Sequence, residues 1–218
     1  MNDVSKSIKW AEKSLNPVIG CSFGCPFCYA RRMNQRFGWI PCFENPQFFP
    51  ERLQQLYSNK SRTIFMDSMS DIADWQEEWV ELTATAMSEN PQHIYIFLTK
   101  RPEIGTYIQG DNVWNGVTIT KQREVTRFDD LPDTINLFMS IEPILEPICI
   151  TDGVNCPEWV IVGAETGNRK GKVVPDRRWI QSIVDECRAF KIPVFLKSSL
   201  ADIWGAPLIQ EYPWEARK

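Results

Sequence analysis

The sequence predicts an α/β protein with a partial (β/α) barrel of six or seven mostly parallel strands. Short apolar segments recur along the chain and alternate with polar or amphipathic stretches. These segments are almost continuously apolar, which is typical of strands covered on both faces. Polar side chains follow several of them directly, and (β/α) barrels gather their sites at the C-terminal ends of strands. Strand–helix alternation alone leaves a doubly wound sheet as the alternative.

Seven segments are predicted to be strands because each is a short run rich in apolar and β-branched residues. They lie at residues 17–20, 63–67, 94–98, 116–119, 135–139, 159–163 and 192–196. Two helices are predicted at 74–89 and 176–190, where apolar residues recur on one helical face. Weaker helical patterns cover 51–58, 103–109 and 121–130. The segment 145–158 contains two prolines and a glycine, which predicts a long irregular loop.

The composition is that of a soluble globular protein. With 218 residues, of which 43% are hydrophobic, the chain can bury one substantial core, so we expect a single domain over 1–218 with a C-terminal extension from about residue 198. No apolar run approaches the ~20 residues that cross a bilayer. The N-terminus has no signal-peptide pattern. We therefore expect a cytoplasmic protein with no membrane partner.

The charge pattern gives a weaker indication. A net charge of −4 weighs modestly against a protein that coats a nucleic-acid backbone. Arg31, Arg32 and Arg36 nevertheless occur together at near-helical spacing, and basic residues also crowd 169–172. Each group is either a local basic patch or an ordinary solvated face.

The loop at residues 20–30 carries the strongest chemical signal. Cys21, Cys25 and Cys28 form the pattern C-x3-C-x2-C, and thiolates at this spacing can converge on one side of a tight loop. Three ligands are one short of a closed zinc site or a fully ligated iron–sulfur cubane, and no fourth Cys or His lies nearby. The pattern favours a metal cluster with one open coordination position. A structural zinc knuckle and buried thiols are the alternatives.

This cysteine pattern, with Phe27 before the third Cys, resembles the signature of the radical S-adenosylmethionine enzymes. The resemblance implies a [4Fe-4S] cluster on the three cysteines, with S-adenosyl-L-methionine capping the open iron. It also implies that Phe27 packs against the adenine and that Tyr29 belongs to the cofactor site. A flavodoxin- or ferredoxin-type reductant would be the electron donor.

Three later segments, at 70–72, 97–100 and 117–120, resemble in order the cofactor-contacting segments of spore photoproduct lyase and its relatives. The resemblance covers about the first 120 residues. It implies that Ser70, Asp71 and Lys100 grip the methionine end of the cofactor and that Thr118 reaches the ribose. The lyase has a hydrogen-donating Cys before the Ser-Asp pair, where this chain has Met69. A thioether has no S–H, so we do not expect thymine photoproduct repair by that route.

Longer runs resemble the phage-type Gp37/Gp68 family (DUF5131) of the same superfamily; they lie at 16–21, 98–102, 140–145, 159–167 and 193–197. The resemblance implies a fold and a cofactor but no substrate. Glu142, Glu165 and Lys197 follow predicted strands and are candidate catalytic residues or substrate contacts. Alternatively, such carboxylates pair with a neighbouring lysine or cap the next helix.

The sequence thus predicts a radical S-adenosylmethionine enzyme that generates a 5′-deoxyadenosyl radical to abstract a substrate hydrogen. A nucleic-acid or nucleotide substrate is the leading interpretation, by similarity to the lyase group. The alternatives are a peptide- or protein-modifying enzyme and a non-catalytic cluster or zinc protein that acts as an interaction module. His93 is interpreted as structural and Cys187 as core, whereas Cys42, Cys149 and Cys156 receive no role.

Overall fold

The computed structural model describes residues 1–5, 8–134, 136–152, 154–167 and 169–215. The chain divides into two compact units, Met1–Trp114 and Asn115–Lys218. Within the described ranges the strands are β1 Asn2–Asp3, β2 Lys13–Ser14, β3 Val18–Ile19, β4 Gln47–Phe48, β5 Thr63–Phe65, β6 Ile94–Thr99, β7 Val113–Thr118, β8 Leu137–Ile141, β9 Trp159–Val162 and β10 Val194–Leu196. The α-helices are α1 Tyr29–Phe37, α2 Glu77–Ser88, α3 Arg177–Ala189 and α4 Ala201–Trp204.

The first unit carries the strands in the order β1-β2-β5-β6. β2, β5 and β6 are parallel, and β1 adds to β2 in the antiparallel sense. Helix α2 lies between β5 and β6 in the chain, and its buried residues, Val80, Thr83, Ala86 and Met87, recur at helical spacing. Its apolar ones join a core that includes Ile64 and Phe97 from the strands.

The segment predicted as a strand at 17–20 is a strand, but not one of the parallel set. β3 pairs with β4 as a separate antiparallel ribbon, with Val18 opposite Phe48. Gly20 ends β3 with a positive φ of 117°, and its N–H donates to the Met69 carbonyl at 3.0 Å. A Cβ at Gly20 would lie 2.7 Å from Pro46 Cα, so only glycine fits this turn.

The second unit carries a fully parallel set in the order β7-β8-β9-β10. β7 begins at Val113 in the first unit and runs on into the second. Helix α3 connects β9 to β10, and its N-cap is Asp176, whose side chain accepts the Arg178 N–H at 2.8 Å. Its buried face includes Cys187, which is fully buried as the sequence predicted.

The α/β class and the mostly parallel strands are confirmed, but several details differ. In the part of the chain that the structure describes, the mostly parallel set has eight strands: β1, β2 and β5 to β10. The predicted number, six or seven, was wrong because the two-residue strands β1 and β2 carry no apolar run. The weak helical patterns at 51–58 and 121–130 are 3-10 helices, Pro50–Leu56 and Gln122–Asp130. Residues 103–109 contain no helix, and 145–158 are irregular where the structure describes them. Ile135, predicted to open a strand, lies outside the described residues.

None of the described helices is both long and apolar enough to cross a bilayer. His93 is buried, and its Nε2 lies 2.8 Å from the Leu56 carbonyl oxygen. The contact fits the structural role predicted for this histidine.

Candidate functional site

The cysteine loop is held in place by backbone hydrogen bonds on both sides. The Cys21 N–H donates to the Phe43 carbonyl at 2.7 Å, and Gly20 forms an isolated parallel bridge with Ser70. Cys28 is the N-cap of α1, because its Sγ accepts the Arg31 N–H at 3.3 Å. The loop therefore lies beside the Ser70 segment.

The three thiols are partly buried, and their surroundings shift two of their pKa values. Burial raises the pKa of Cys21 to about 12. Burial also raises the pKa of Cys25, although the nearby Lys100 ammonium opposes this. In the absence of a metal, Cys21 is therefore a neutral thiol at neutral pH.

Among the described residues, no three His, Cys, Asp or Glu side chains are grouped so as to hold a metal ion. The donor set itself suits iron or zinc, since three thiols share one short loop. Backbone N–H groups already donate to two of the sulfurs, at Cys21 and Cys28. Such hydrogen bonds are among the features that tune iron–sulfur clusters. The three cysteines therefore fit an iron or zinc centre through the chemistry of their sulfur donors.

Lys100 and Phe27, both predicted cofactor contacts, come together in the structure. The Lys100 Nζ lies 5.9 Å from the centroid of the Phe27 ring. The same ammonium influences the Cys25 thiol. Tyr29, at the start of α1, donates its hydroxyl to the Ser68 carbonyl. The structure thus gathers a thiol, an aromatic face and a cation at one place in the first unit.

Asp71 is buried and fully engaged within the protein. Its carboxylate accepts the Thr99 hydroxyl at 2.6 Å, the Lys100 N–H at 3.1 Å and the Ala73 N–H at 3.1 Å. These bonds join the end of β6 to the turn after Ser70. The Ser70 hydroxyl in turn accepts the Trp75 indole N–H at 3.0 Å. Asp71 therefore positions the backbone at Lys100.

A network that sequence reasoning missed ties the cysteine loop to this turn. The Ser22 N–H and hydroxyl each donate to Asp74 at 2.8 Å, and the Arg101 guanidinium contacts Asp74 at 2.6 Å. Burial would raise the pKa of Asp74, but hydrogen bonds from Arg101 and Ser22 hold it below its ordinary value. The three residues are far apart in the chain and form no local motif. The only sequence signal was the position of Arg101 directly after Lys100.

The second unit contains the four remaining candidate residues. Thr118 ends β7, is buried, and lies opposite Ser140 of β8; its contact with a ribose stays a prediction. Glu142 and Lys197 form an ion pair above Gly163, where an added Cβ would approach both side chains to 3.1 Å. Glu165 instead pairs with Arg169, whose two hydrogen bonds, at 2.5 and 2.7 Å, keep the pKa of Glu165 below its ordinary value.

These features define the class of protein: an α/β chain with mostly parallel strands and a three-cysteine loop directly after β3. The chain belongs to the DUF5131 family, proteins of unknown function, whose model matches residues 5–206. The family part of the sequence prediction is thereby confirmed. No curated protein and no solved structure matches the chain.

Proposed function

We propose that this protein is a cytoplasmic radical S-adenosylmethionine enzyme whose strands form the partial barrel typical of that superfamily. Cys21, Cys25 and Cys28 would hold a [4Fe-4S] cluster. When bound, the cluster supplies the electron that splits S-adenosylmethionine into methionine and a 5′-deoxyadenosyl radical able to take a substrate hydrogen. The observation that carries the proposal is the meeting of Cys25, Phe27 and Lys100.

The side chains around the loop suit this cofactor. The Lys100 ammonium matches the carboxylate of the methionine end. The Phe27 ring offers a face on which adenine can stack. Asp71 holds the backbone that carries Lys100, and the backbone of Ser70 pairs with Gly20 at the start of the cysteine loop. Each group would bind or orient the cofactor, and none of them needs to exchange a proton.

The leading substrate class is nucleic acid or a nucleotide, with a flavodoxin- or ferredoxin-type protein as reductant. It is supported by the lyase resemblance and by aromatic side chains exposed on α1. Modification of a peptide or protein is the alternative reaction. The alternative outside catalysis is a cluster or zinc protein that acts as an interaction module.

Anaerobic reconstitution tests the proposal. The protein should take up about four irons per chain and gain the broad visible absorption of a cubane. Cys25→Ala should abolish both, while Cys149→Ala, which removes an exposed thiol outside the loop, should change neither. Stoichiometric zinc without iron uptake under these conditions would contradict the enzyme and favour the interaction module.

A further inference from the structure

Helix α1 presents large apolar side chains to solvent. Tyr29, Met33 and Phe37 recur every fourth residue, so they form one stripe along the helix. Their exposed fractions are 47%, 38% and 53%. The buried residues of the helix, Ala30 and Asn34, lie on the adjacent face, because each directly follows a residue of the stripe. Contiguous exposed apolar side chains are a common feature of interaction sites.

Positive charge lies directly beside this stripe. Arg32 and Arg36 are exposed, and within the described residues no carboxylate forms an ion pair with either, whereas Arg31 pairs with Glu44. The Arg36 guanidinium sits 5.2 Å from the Phe37 ring centroid. Residues 20–43 contain three arginines and no acidic residue, although the whole chain has a net charge of −4. The charge of this face therefore suits an anionic partner.

The stripe continues into a cavity through Trp39. The rings of Phe37 and Trp39 are stacked, with centroids 5.2 Å apart and an interplanar angle of 21°. Trp39 also lines a cavity of about 310 Å³ together with Asn16 and Arg52. That volume lies at the lower end of the range for small-molecule sites. Met69 also lines the cavity, so the cavity adjoins the Ser70 turn.

The polar groups of this cavity are fixed in orientation. The Arg52 guanidinium donates to the Asn16 carbonyl at 2.8 Å and lies 4.2 Å from the Phe49 ring centroid. The Asn16 Oδ1 accepts the Ser68 hydroxyl at 3.0 Å and the Met69 N–H at 2.9 Å. The side-chain N–H groups of Asn16 are thus left as donors. A heterocyclic base, with carbonyl and ring-nitrogen acceptors, matches donors placed beside an indole ring.

We infer that α1 and Trp39 form a docking surface for single-stranded nucleic acid, one base of which enters the cavity beside Asn16 and Arg52. Phosphates would contact Arg32 and Arg36, and bases would stack on Phe37 and Trp39. An acidic peptide would satisfy the arginines but would not use the stacked rings. The inference rests on the nucleic-acid part of the proposed function. It does not depend on the cluster.

Fluorescence anisotropy with a labelled single-stranded oligonucleotide tests the surface on the full chain, before and after cluster reconstitution. Arg32→Ala/Arg36→Ala should weaken binding by at least about tenfold and lower the slope of log affinity against log salt by about 1.4. Phe37→Ala/Trp39→Ala should weaken binding by about tenfold or more, with little change in slope.

Matched controls come from the second unit. Arg123→Ala/Arg178→Ala removes the same charge from exposed positions, and Phe190→Ala removes an exposed aromatic ring; both should leave affinity unchanged. Unchanged affinity in both the arginine variant and the aromatic variant, or no binding by the unaltered chain, would overturn the inference. So would a dimer that dissociates in Phe37→Ala/Trp39→Ala, because the stripe would then belong to a second copy. Oligonucleotide binding by a protein that takes up no iron would overturn the enzyme proposal but would still support this docking surface.

Discussion

Asp67 and Asp74 lie in the same unit, yet their surroundings shift their pKa values in opposite directions. Burial and the neighbouring Asp71 raise the pKa of Asp67 well above its ordinary value, although both its oxygens lie 3.2 Å from the Leu98 N–H nitrogen. Asp74 is also partly buried, but Arg101 and Ser22 lower its pKa. The surroundings of Asp67 therefore disfavour ionisation of its carboxyl group, whereas those of Asp74 favour it.

The two aspartates should give opposite pH profiles. Above the unfolded pKa of about 3.9, native Asp67 binds more protons than the unfolded chain, so its contribution to stability falls as pH rises towards its folded pKa. Asp67→Asn should therefore gain stability relative to the unaltered protein from about pH 4 towards neutrality. Urea unfolding at a series of pH values measures this.

Asp74→Asn is the matched control. The lowered pKa of Asp74 stabilises the fold above the unfolded pKa, and this contribution is lost as pH falls through the folded pKa. The control should therefore lose stability relative to the unaltered protein as pH rises. Parallel stability curves for all three proteins would contradict the pKa assignments.

Lys100 and Asp71 were both predicted to grip the cofactor, but their contacts indicate different roles. Lys100→Ala should weaken S-adenosylmethionine binding to the reconstituted protein by about 1.5–3 kcal/mol, the scale of a hydrogen bond to a charged group, and leave stability almost unchanged. Asp71→Ala should weaken binding and also destabilise the fold, because it leaves the Thr99 and Lys100 donors without their acceptor.

Calorimetry for affinity and urea unfolding for stability separate these two effects. Lys60→Ala, at an exposed lysine away from the loop, is the control and should alter neither quantity. Full cofactor affinity in Lys100→Ala would show that the resemblance to the lyase segments does not extend to this residue.

The neighbouring strands β7 and β8 depend on one close packing contact. Gly116 lies opposite Phe138 in register, and a Cβ at Gly116 would come within 2.3 Å of the Phe138 ring. Because the ring is fully buried, it cannot move aside. Gly116→Ala should therefore destabilise the protein by about 1–3 kcal/mol or more, as overpacked cores do.

Gly163→Ala is the comparison for this prediction. It would bring a Cβ to 3.1 Å from the Glu142 and Lys197 side chains, which are less buried than Phe138. In urea unfolding, Gly163→Ala should lower the free energy of unfolding by less than Gly116→Ala does. Equal costs would mean that the ring of Phe138 can rearrange.

The elements that sequence reasoning predicted correctly are those with a strong local pattern. Helices α2 and α3 have apolar faces, and β6 and β9 have continuous apolar runs, so burial and local pattern agree. β3 also has an apolar run, but run length does not distinguish pairing with β4 from pairing in the parallel set. At the site, Lys100 could be predicted because it lies just beyond the end of a predicted strand. The bonds among Ser22, Asp74 and Arg101 join distant parts of the chain and leave no local pattern.

At the scale of the whole molecule, the net charge does not show that positive charge is concentrated in one segment, and such a segment can bind an anionic partner. The net charge of −4 weighs against a nucleic-acid-coating protein, yet residues 20–43 hold only arginine among their charged side chains. Affinity for a polyanion depends on the phosphates contacted locally. A small binding surface beside the cysteine loop that contacts only a few phosphates is therefore compatible with an acidic chain.

The reaction that the radical carries out should depend on Met69, which occupies the position of the hydrogen-donating cysteine in the lyase. With reductant and S-adenosylmethionine but no substrate, the reconstituted protein should slowly form methionine and 5′-deoxyadenosine. One electron from the reduced cluster would break the sulfonium bond, and the resulting radical would take a hydrogen atom from the buffer or the reductant. Offered DNA that contains spore photoproduct, it should not restore thymines efficiently. Met69 is buried against Ile19 and Phe43, and its thioether has no hydrogen atom to donate.

Met69→Cys supplies an S–H at this position, and Met69→Ala removes the same thioether without supplying one. If a missing hydrogen donor limits repair, only the cysteine variant should gain thymine formation, measured by chromatography of digested DNA. Both variants lose side-chain volume in the core, so a gain shared by the two would reflect altered packing. Efficient repair by the unaltered protein would show that Met69 does not separate this chain from the lyase reaction.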